Sequence, residues 1–212
     1  MIKIIKGNKP EILEINEQIW TEEYIKLMNG DESIPKIARF RYRHKDIKSA
    51  LRDEANDKCI FCESKISHTF PGETDHIIPA SKDYNRIVEW TNLGYVCKEC
   101  NMNKSDYHDL NIPLLNPFID SPNDSLIFFG PLVLAKGGSV RGQITVDLLD
   151  LSRPAIIERK KERIDRVKAL LDRALAFPEG DAKNFLMRKV HDEALADKEY
   201  SATIKAYLTH AI

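Results

Sequence analysis

The chain has 212 residues, with 32 Lys and Arg against 33 Asp and Glu, giving a net charge of −1. This balance excludes a protein that holds nucleic acid through global charge, so any basic surface must be local. No apolar run is long enough to span a bilayer, and Met1–Lys6 is too short and too charged for a signal peptide, so a cytoplasmic protein with no membrane partner is expected.

Residues 1–6 alternate weakly and predict an edge strand. Glu11 to Met28 is acidic, with Ile12, Ile15, Ile19, Trp20 and Leu27 as apolar positions, and predicts a helix or helix pair closed by Asn29-Gly30-Asp31. Its acidic side suits either solvent or a partner protein. Pro35 then opens a stronger helix, with Ile37, Phe40, Ile47, Leu51 and Ala55 near helical spacing. Arg43 and Lys48 are among the basic residues crowding its other faces. Such a helix grips phosphates or is simply a solvated face.

All four cysteines follow, as two CxxC pairs, Cys59/Cys62 and Cys97/Cys100. Two such pairs supply four thiolates to one tetrahedral zinc, a closed structural site with no open position for catalysis. The gap between them is longer than in an ordinary zinc ribbon, so something is inserted. Thioredoxin-like redox chemistry would need a CxxC at a helix start within a βαβ unit, and that context is missing. With no cysteine left over, the set suits a reducing compartment.

Between the pairs, Thr74-Asp75-His76-Ile77-Ile78 predicts a short strand ending at Pro79, and Leu93-Gly94-Tyr95-Val96 its partner. Lys98 to Tyr107 predicts a short polar helix. Asp75 and His76 are adjacent, so on a regular strand they face opposite ways; both serve one site only if the strand bends or a loop meets it. Ser81 to Trp90 is a polar connection in which Lys82 and Arg86 are within reach of a nucleic-acid backbone. Lys104 follows Asn101 by three residues on one helix face, placed to touch a phosphate or to stand in solvent. His108 lies beyond the pattern and is not assigned to a metal.

Past the site, residues 110–125 carry Pro113, Pro117 and Pro122 and read as an extended crossing loop. Ser125–Phe129 and Gly142–Val146 predict a hairpin around Gly137-Gly138-Ser139. Ser152 as N-cap and Pro154 in the first turn open a long helix with Ile156, Ile164, Val167 and Leu171 in its apolar stripe. Pro178-Glu179-Gly180 breaks it, and Asp181 to Ile212 predicts one or two more helices. The apolar positions of these helices suit packing within the chain or docking of a partner.

The inserted segment resembles the HNH endonucleases. The match is D-H-I-x-P from Asp75, N-L from Asn92, and C-x-x-C-N-x-x-K-S-D from Cys97, framed by the first CxxC. The resemblance implies a ββα-metal fold with His76 as general base, Asp75 and Asn101 as ligands of a catalytic Mg²⁺ or Mn²⁺, and Asn92 tying down the loop that orients His76. The first and last motif positions are Asp and Asn here where the family name has His. The chemistry agrees, because a neutral imidazole suits base catalysis near neutral pH, and a hard cation prefers carboxylate and amide oxygens.

The flanks extend the likeness. L-N-P-F-I-D-x-P over Leu115–Pro122 and I-T-V-x-L-L-x-L-S-R over Ile144–Arg153 resemble the PtuB-type nucleases of Septu and retron-associated anti-phage systems. That resemblance implies a PtuA-type ATPase partner and a DNA or tRNA substrate. The chain has no Walker motif of its own.

The expected fold is therefore α+β and mostly helical. It comprises an N-terminal helical arm over 1–58, a zinc-clamped HNH core over 59–109, and a hairpin with a C-terminal helical region over 110–212. Two other functions compete with a defence nuclease. One is an HNH nuclease of restriction or mobile-element type, which would usually carry a separate sequence-reading domain. The other is a non-catalytic zinc module, which would not need Asp75, His76 and Asn101 together.

Overall fold

The structure is a computed structural model and describes residues 1–68 and 70–212. The chain runs through α1 (Glu11–Met28), a 3-10 segment (Lys36–Arg43), α2 (Lys45–Glu54), β1 (Glu73–His76), β2 (Leu93–Val96) and α3 (Lys98–Lys104). It continues through β3 (Leu126–Phe129), β4 (Leu132–Ala135), α4 (Val140–Leu148), α5 (Pro154–Leu175), α6 (Asp181–Asp192) and α7 (Ser201–Ala211). The protein is mostly helical, with two small antiparallel sheets among the described residues, β1–β2 and β3–β4. No helix among the described residues is long and apolar enough to cross a membrane.

β1 and β2 pair with Asp75 opposite Gly94 and His76 opposite Leu93. α3 follows at once, so strand, strand and helix form one ββα unit. Gly72 leads into β1 at φ +67°, and a Cβ there would come within 2.3 Å of the Tyr95 ring. Only glycine meets both demands. The main core draws Leu13 and Trp20 of α1, Ile47 and Leu51 of α2, the four cysteines, and Leu149, Ile156 and Tyr200 into one buried cluster. α5, α6 and α7 enclose a second, smaller core around Val167, Leu171, Val190, Ile204 and Leu208.

The first CxxC turn is where these parts meet. Lys58 Nζ donates to the carbonyls of Ala196 (2.5 Å) and Lys198 (2.9 Å). Ser201 Oγ donates to Glu63 (2.8 Å), and Ser64 shares a hydrogen bond with the Tyr200 hydroxyl (2.9 Å). The C-terminal helices are thus fastened to the cysteine turn by polar side chains taken out of water, where an unmade hydrogen bond is costly.

Four local expectations are corrected. Residues 1–6 join no strand ladder among the described residues; Ile4 N–H bonds the Pro117 carbonyl (2.8 Å), and Lys6 lies 3.8 Å from the Trp90 ring centroid while paired to Glu54. The helix expected from Pro35 is interrupted at His44, whose backbone is extended (ψ 141°) and whose ring accepts from Asp46 N–H as the cap of α2. The hairpin turns at Gly130, so its second strand is Leu132–Ala135, and residues 142–146 lie in α4. Ser139 decides this by capping α4 through Gly142 N–H (3.0 Å). Finally, Ser152 does not cap α5; its hydroxyl bonds both the N–H and the carbonyl of Val133, and Arg153 holds the cap position ahead of Pro154.

Candidate active site and metal centre

The ligand atoms of Cys59, Cys62, Cys97 and Cys100 all lie within 4.8 Å of one another, buried and without a disulfide. A tetrahedral zinc with Zn–S near 2.3 Å sets its sulfurs about 3.8 Å apart, and the Cys62–Cys97 separation is 3.8 Å. The four cysteines therefore fit a zinc ion. Burial raises the Cys59 thiol and the neighbouring thiols raise Cys100, while hydrogen bonds from Cys100, Cys59 and Cys97 hold Cys62 well below the usual thiol range. A divalent cation draws such mixed thiols to thiolates.

Arg153 was not expected at this centre. Its guanidinium lies 3.7 Å from the Cys97 sulfur, 3.8 Å from Cys100 and 4.0 Å from Cys62. Burial works against its charge, but the three sulfurs outweigh it and raise its pKa further above the ordinary value. Four thiolates around a zinc carry net charge −2, so a guanidinium at their edge offsets charge and orients the sulfurs. Arg153→Ala is expected to speed zinc loss to a colorimetric chelator roughly tenfold or more. Arg153→Lys should restore only part, because a point charge cannot reproduce the planar fork.

The second constellation lies on β1 and α3. Glu73 and Asp75 share one face of the strand, and α3 lies against it. Asn101 Nδ2 donates to Glu73, and Lys104 Nζ pairs with Asp75 (3.2 Å). The structure therefore corrects one expected phosphate contact: Lys104 is 2% exposed and acts as an internal counter-ion. Burial pushes the Asp75 carboxyl up, and Lys104 and the His76 N–H oppose that shift. One oxygen of Asp75, Oδ2, is buried and accepts no hydrogen bond, its one polar neighbour among the described residues being the Lys104 ammonium at 3.2 Å. Since Asn101 spends its amide nitrogen on Glu73, its carbonyl oxygen is left as a free donor atom. A carboxylate oxygen held by one ammonium alone and an amide oxygen with no hydrogen bond are atoms that a hard divalent cation takes.

His76 occupies the end of β1 and points the other way, against the Tyr42 ring (centroids 4.5 Å). Its Nε2 lies 2.8 Å from the Ile87 carbonyl. A carbonyl only accepts, so Nε2 carries the proton and Nδ1 keeps its lone pair. Burial lowers its pKa to about 4, with Lys104 and Arg43 adding repulsion. Asp75 and His76 thus share one electrostatic neighbourhood from opposite faces of the strand end, with the His76 N–H bonded to Asp75 Oδ1 (2.8 Å).

Asn92 explains why the loop holds its shape. It is fully buried; Oδ1 accepts from Ile78 N–H (2.8 Å), and Nδ2 donates to the carbonyls of Ile78 (3.0 Å) and Arg86 (3.1 Å). It clamps the chain after His76 to the turn whose next carbonyl, Ile87, receives the imidazole. Asn92→Ala leaves these backbone groups unpaired, and at 1–3 kcal/mol each about 3 kcal/mol or more of stability should be lost in a denaturant melt.

The remaining expected nucleic-acid contacts separate. Arg86 is committed to Glu89 through two nitrogens, and Lys82 pairs with Asp106 at 3.6 Å. Arg43 is exposed and rests on Phe40 and Tyr42, and Lys48 lies near Glu73, so these two border the site. Glu73 was not singled out from sequence, although its i, i+2 relation to Asp75 places both on one face.

A buried four-cysteine clamp on a ββα unit, with Asp-His at the strand end and Asn on the helix, defines an HNH-type nuclease fold of the ββα-metal class. Consistent with this, the family model described as HNH endonuclease matches residues 59–113. The chain is 30% identical over 223 aligned positions to Septu protein PtuB of Bacillus thuringiensis, covering 98% of this chain and 82% of that protein. It is 25% identical over 150 positions to Septu protein PtuB of Bacillus mycoides (strain KBAB4), covering 56% of this chain and 51% of that one. The chain belongs to the PtuB family of HNH nucleases.

Proposed function

We propose that this protein is the nuclease effector of a Septu-type anti-phage system, hydrolysing phosphodiester bonds of DNA or tRNA under the control of a PtuA-type ATPase partner. The observation that carries the catalytic part is His76, a buried neutral imidazole whose Nε2 proton is spent on the Ile87 carbonyl. Its Nδ1 is left to take a proton from water, as a general base requires.

The residues divide the work by position. Asn92 fixes the Ile87 carbonyl and hence the tautomer of His76. Lys104 opposes the burial that pushes the Asp75 carboxyl up, and Glu73 orients the Asn101 amide by accepting from its nitrogen. Asp75 and Asn101 would hold Mg²⁺ or Mn²⁺, which would supply Lewis-acid stabilisation of charge on the departing oxygen. Arg43 beside His76 and Lys48 beside Glu73 are placed to meet the substrate backbone. The zinc is a scaffold, because its four sulfur ligands leave no open position.

The partner assignment rests on the likeness to PtuB over 98% of the chain. The test is cleavage of plasmid DNA and of bulk tRNA by the zinc-loaded protein with Mg²⁺ or Mn²⁺, alone and with the ATPase that co-purifies from the native host. Cutting in either state, metal-dependent, is the expected result. No cutting in both states would overturn the nuclease assignment, and no ATPase in the pull-down would overturn the partner.

A further inference from the structure

Three of the sequence-expected basic contacts have carboxylate partners: Lys104 is buried against Asp75, Arg86 is bonded to Glu89, and Lys82 forms an exposed pair with Asp106. Another set of cations does not. A cleft of about 450 Å³ beside the zinc centre is rimmed by the cations Lys65 after the first CxxC, Lys98 at the start of α3 and Arg159 on α5, with His68 between them. Among the described residues, none of these forms an ion pair. Arg159 instead donates to His68 Nε2 (3.2 Å), a bond that brings the guanidinium no opposite charge. Two carboxylates are near. Glu99 is exposed on α3, and Glu199 is taken up by the backbone N–H of Lys65 (2.9 Å). Cys97 of the zinc centre also lines the cleft with Arg153 beside it, so Lys65, Lys98 and Arg159 stand as further cations without ion pairs, the kind of group that takes up an anion.

The cleft also presents an aromatic ring. Phe70 lines it and is 41% exposed. A cationic groove beside an exposed aromatic face is the arrangement that binds single-stranded nucleic acid, phosphates on the cations and a base on the ring. The cleft adjoins the catalytic constellation by covalent distance. Phe70 precedes Glu73 by three residues, a reach of at most about 10 Å, and Lys98 precedes Asn101 by three on one helix face.

We propose that this cleft receives the unpaired nucleotides flanking the scissile phosphate, with Lys65, Lys98 and Arg159 on the backbone and Phe70 under a base. The substrate class is therefore single-stranded or looped nucleic acid. The proposal rests on the nuclease reading above and deepens it by naming the strand state of the substrate. Duplex DNA has no unstacked base to lay on Phe70, so discrimination comes from the ring, and affinity for any backbone comes from the three cations.

The test is fluorescence anisotropy with a labelled single-stranded DNA, the same sequence as RNA, and its DNA duplex, over a salt series without Mg²⁺ so that nothing is cut. Phe70→Ala should weaken both single strands roughly tenfold and leave the duplex unchanged. The Lys65→Glu/Lys98→Glu/Arg159→Glu variant should weaken all three probes and reduce the single-strand salt slope by about 2, near 0.7 per charge. Tighter binding of the DNA or of the RNA strand identifies which polymer supplies the backbone. Zinc content and melting temperature are checked for each variant; if the triple variant loses zinc, Lys98→Glu and Phe70→Ala carry the test. Single-strand affinity and salt slope unchanged in the charge variants, or equal weakening of single strand and duplex by Phe70→Ala, would overturn the inference. Binding without Mg²⁺ does not depend on cleavage, so this failure is distinguishable from failure of the nuclease reading, which metal-dependent cutting by the wild type decides.

Discussion

Stripping the zinc should unfold the nuclease core. The four sulfurs are not appended to the fold but sit inside its main apolar cluster, packed with Ile60, Phe61, Val96 and Ile66. Apparent binding free energies of structural zinc reach about 10–16 kcal/mol, while a whole domain is stable by only about 5–15 kcal/mol. Metal binding is therefore comparable with the entire folding free energy. Treatment with a strong chelator, or Cys97→Ser, is expected to abolish the cooperative thermal transition of the core, read by circular dichroism alongside zinc release. Cys97 has a second role that serine serves poorly: its sulfur caps α3 by accepting from Cys100 N–H (3.5 Å), and α3 carries Asn101 and Lys104. Loss of zinc should thus also remove catalytic-metal binding, although no cysteine contacts that site. A metal-free protein with an unchanged melt would show that packing alone holds the ββα unit.

The four-cysteine cluster and the ββα unit that carries Asp75, His76 and Asn101 were legible in the sequence because their signals are local. A CxxC turn, an Asp-His pair and an Asn one residue past the last cysteine depend on spacings of a few residues, which the chain cannot vary without losing the geometry. What was not legible depends on partners far along the chain. Arg153 reaches the Cys100 sulfur across 53 residues, and nothing around L-S-R-P announces a sulfur contact. Lys104 looked like a surface charge because its helix is polar; only the packing of α3 on β1 shows that it answers the buried Asp75. Residues 142–146 misled through their β-branched alternation. Gly142 packs so close to the Ser125 carbonyl that a Cβ would come within 2.2 Å of its oxygen, and the Ser139 cap commits the segment to α4. Tertiary contact and capping overrode propensity there.

The pH profile of cleavage should separate His76 from an ordinary histidine. The base must be neutral to accept a proton, and burial has lowered the folded pKa of His76 to about 4 from 6.5. The acid limb of the rate should therefore lie near pH 4 to 5, with no break at 6.5. A divalent cation on Asp75 would repel the imidazole proton and move the limb in the same direction. Linkage gives a matching stability effect. Between pH 6.5 and 4 the unfolded chain binds a proton that the folded chain refuses, so His76 costs stability as pH falls through that window. At 1.36 kcal/mol per unit, the cost accumulates to about 3 kcal/mol by pH 4. His76→Ala removes both effects. It should lower cleavage by a factor of about 10²–10⁴, the usual contribution of a positioned general base, while flattening the acid dependence of the melting temperature and leaving zinc in place. His76→Gln tests the position further, since an amide can still donate to the Ile87 carbonyl but offers no basic lone pair. Retention of the loop, by near wild-type melting at pH 7.5, together with loss of cleavage would assign the defect to proton transfer. Cleavage at wild-type rate in either variant would move the base to another group.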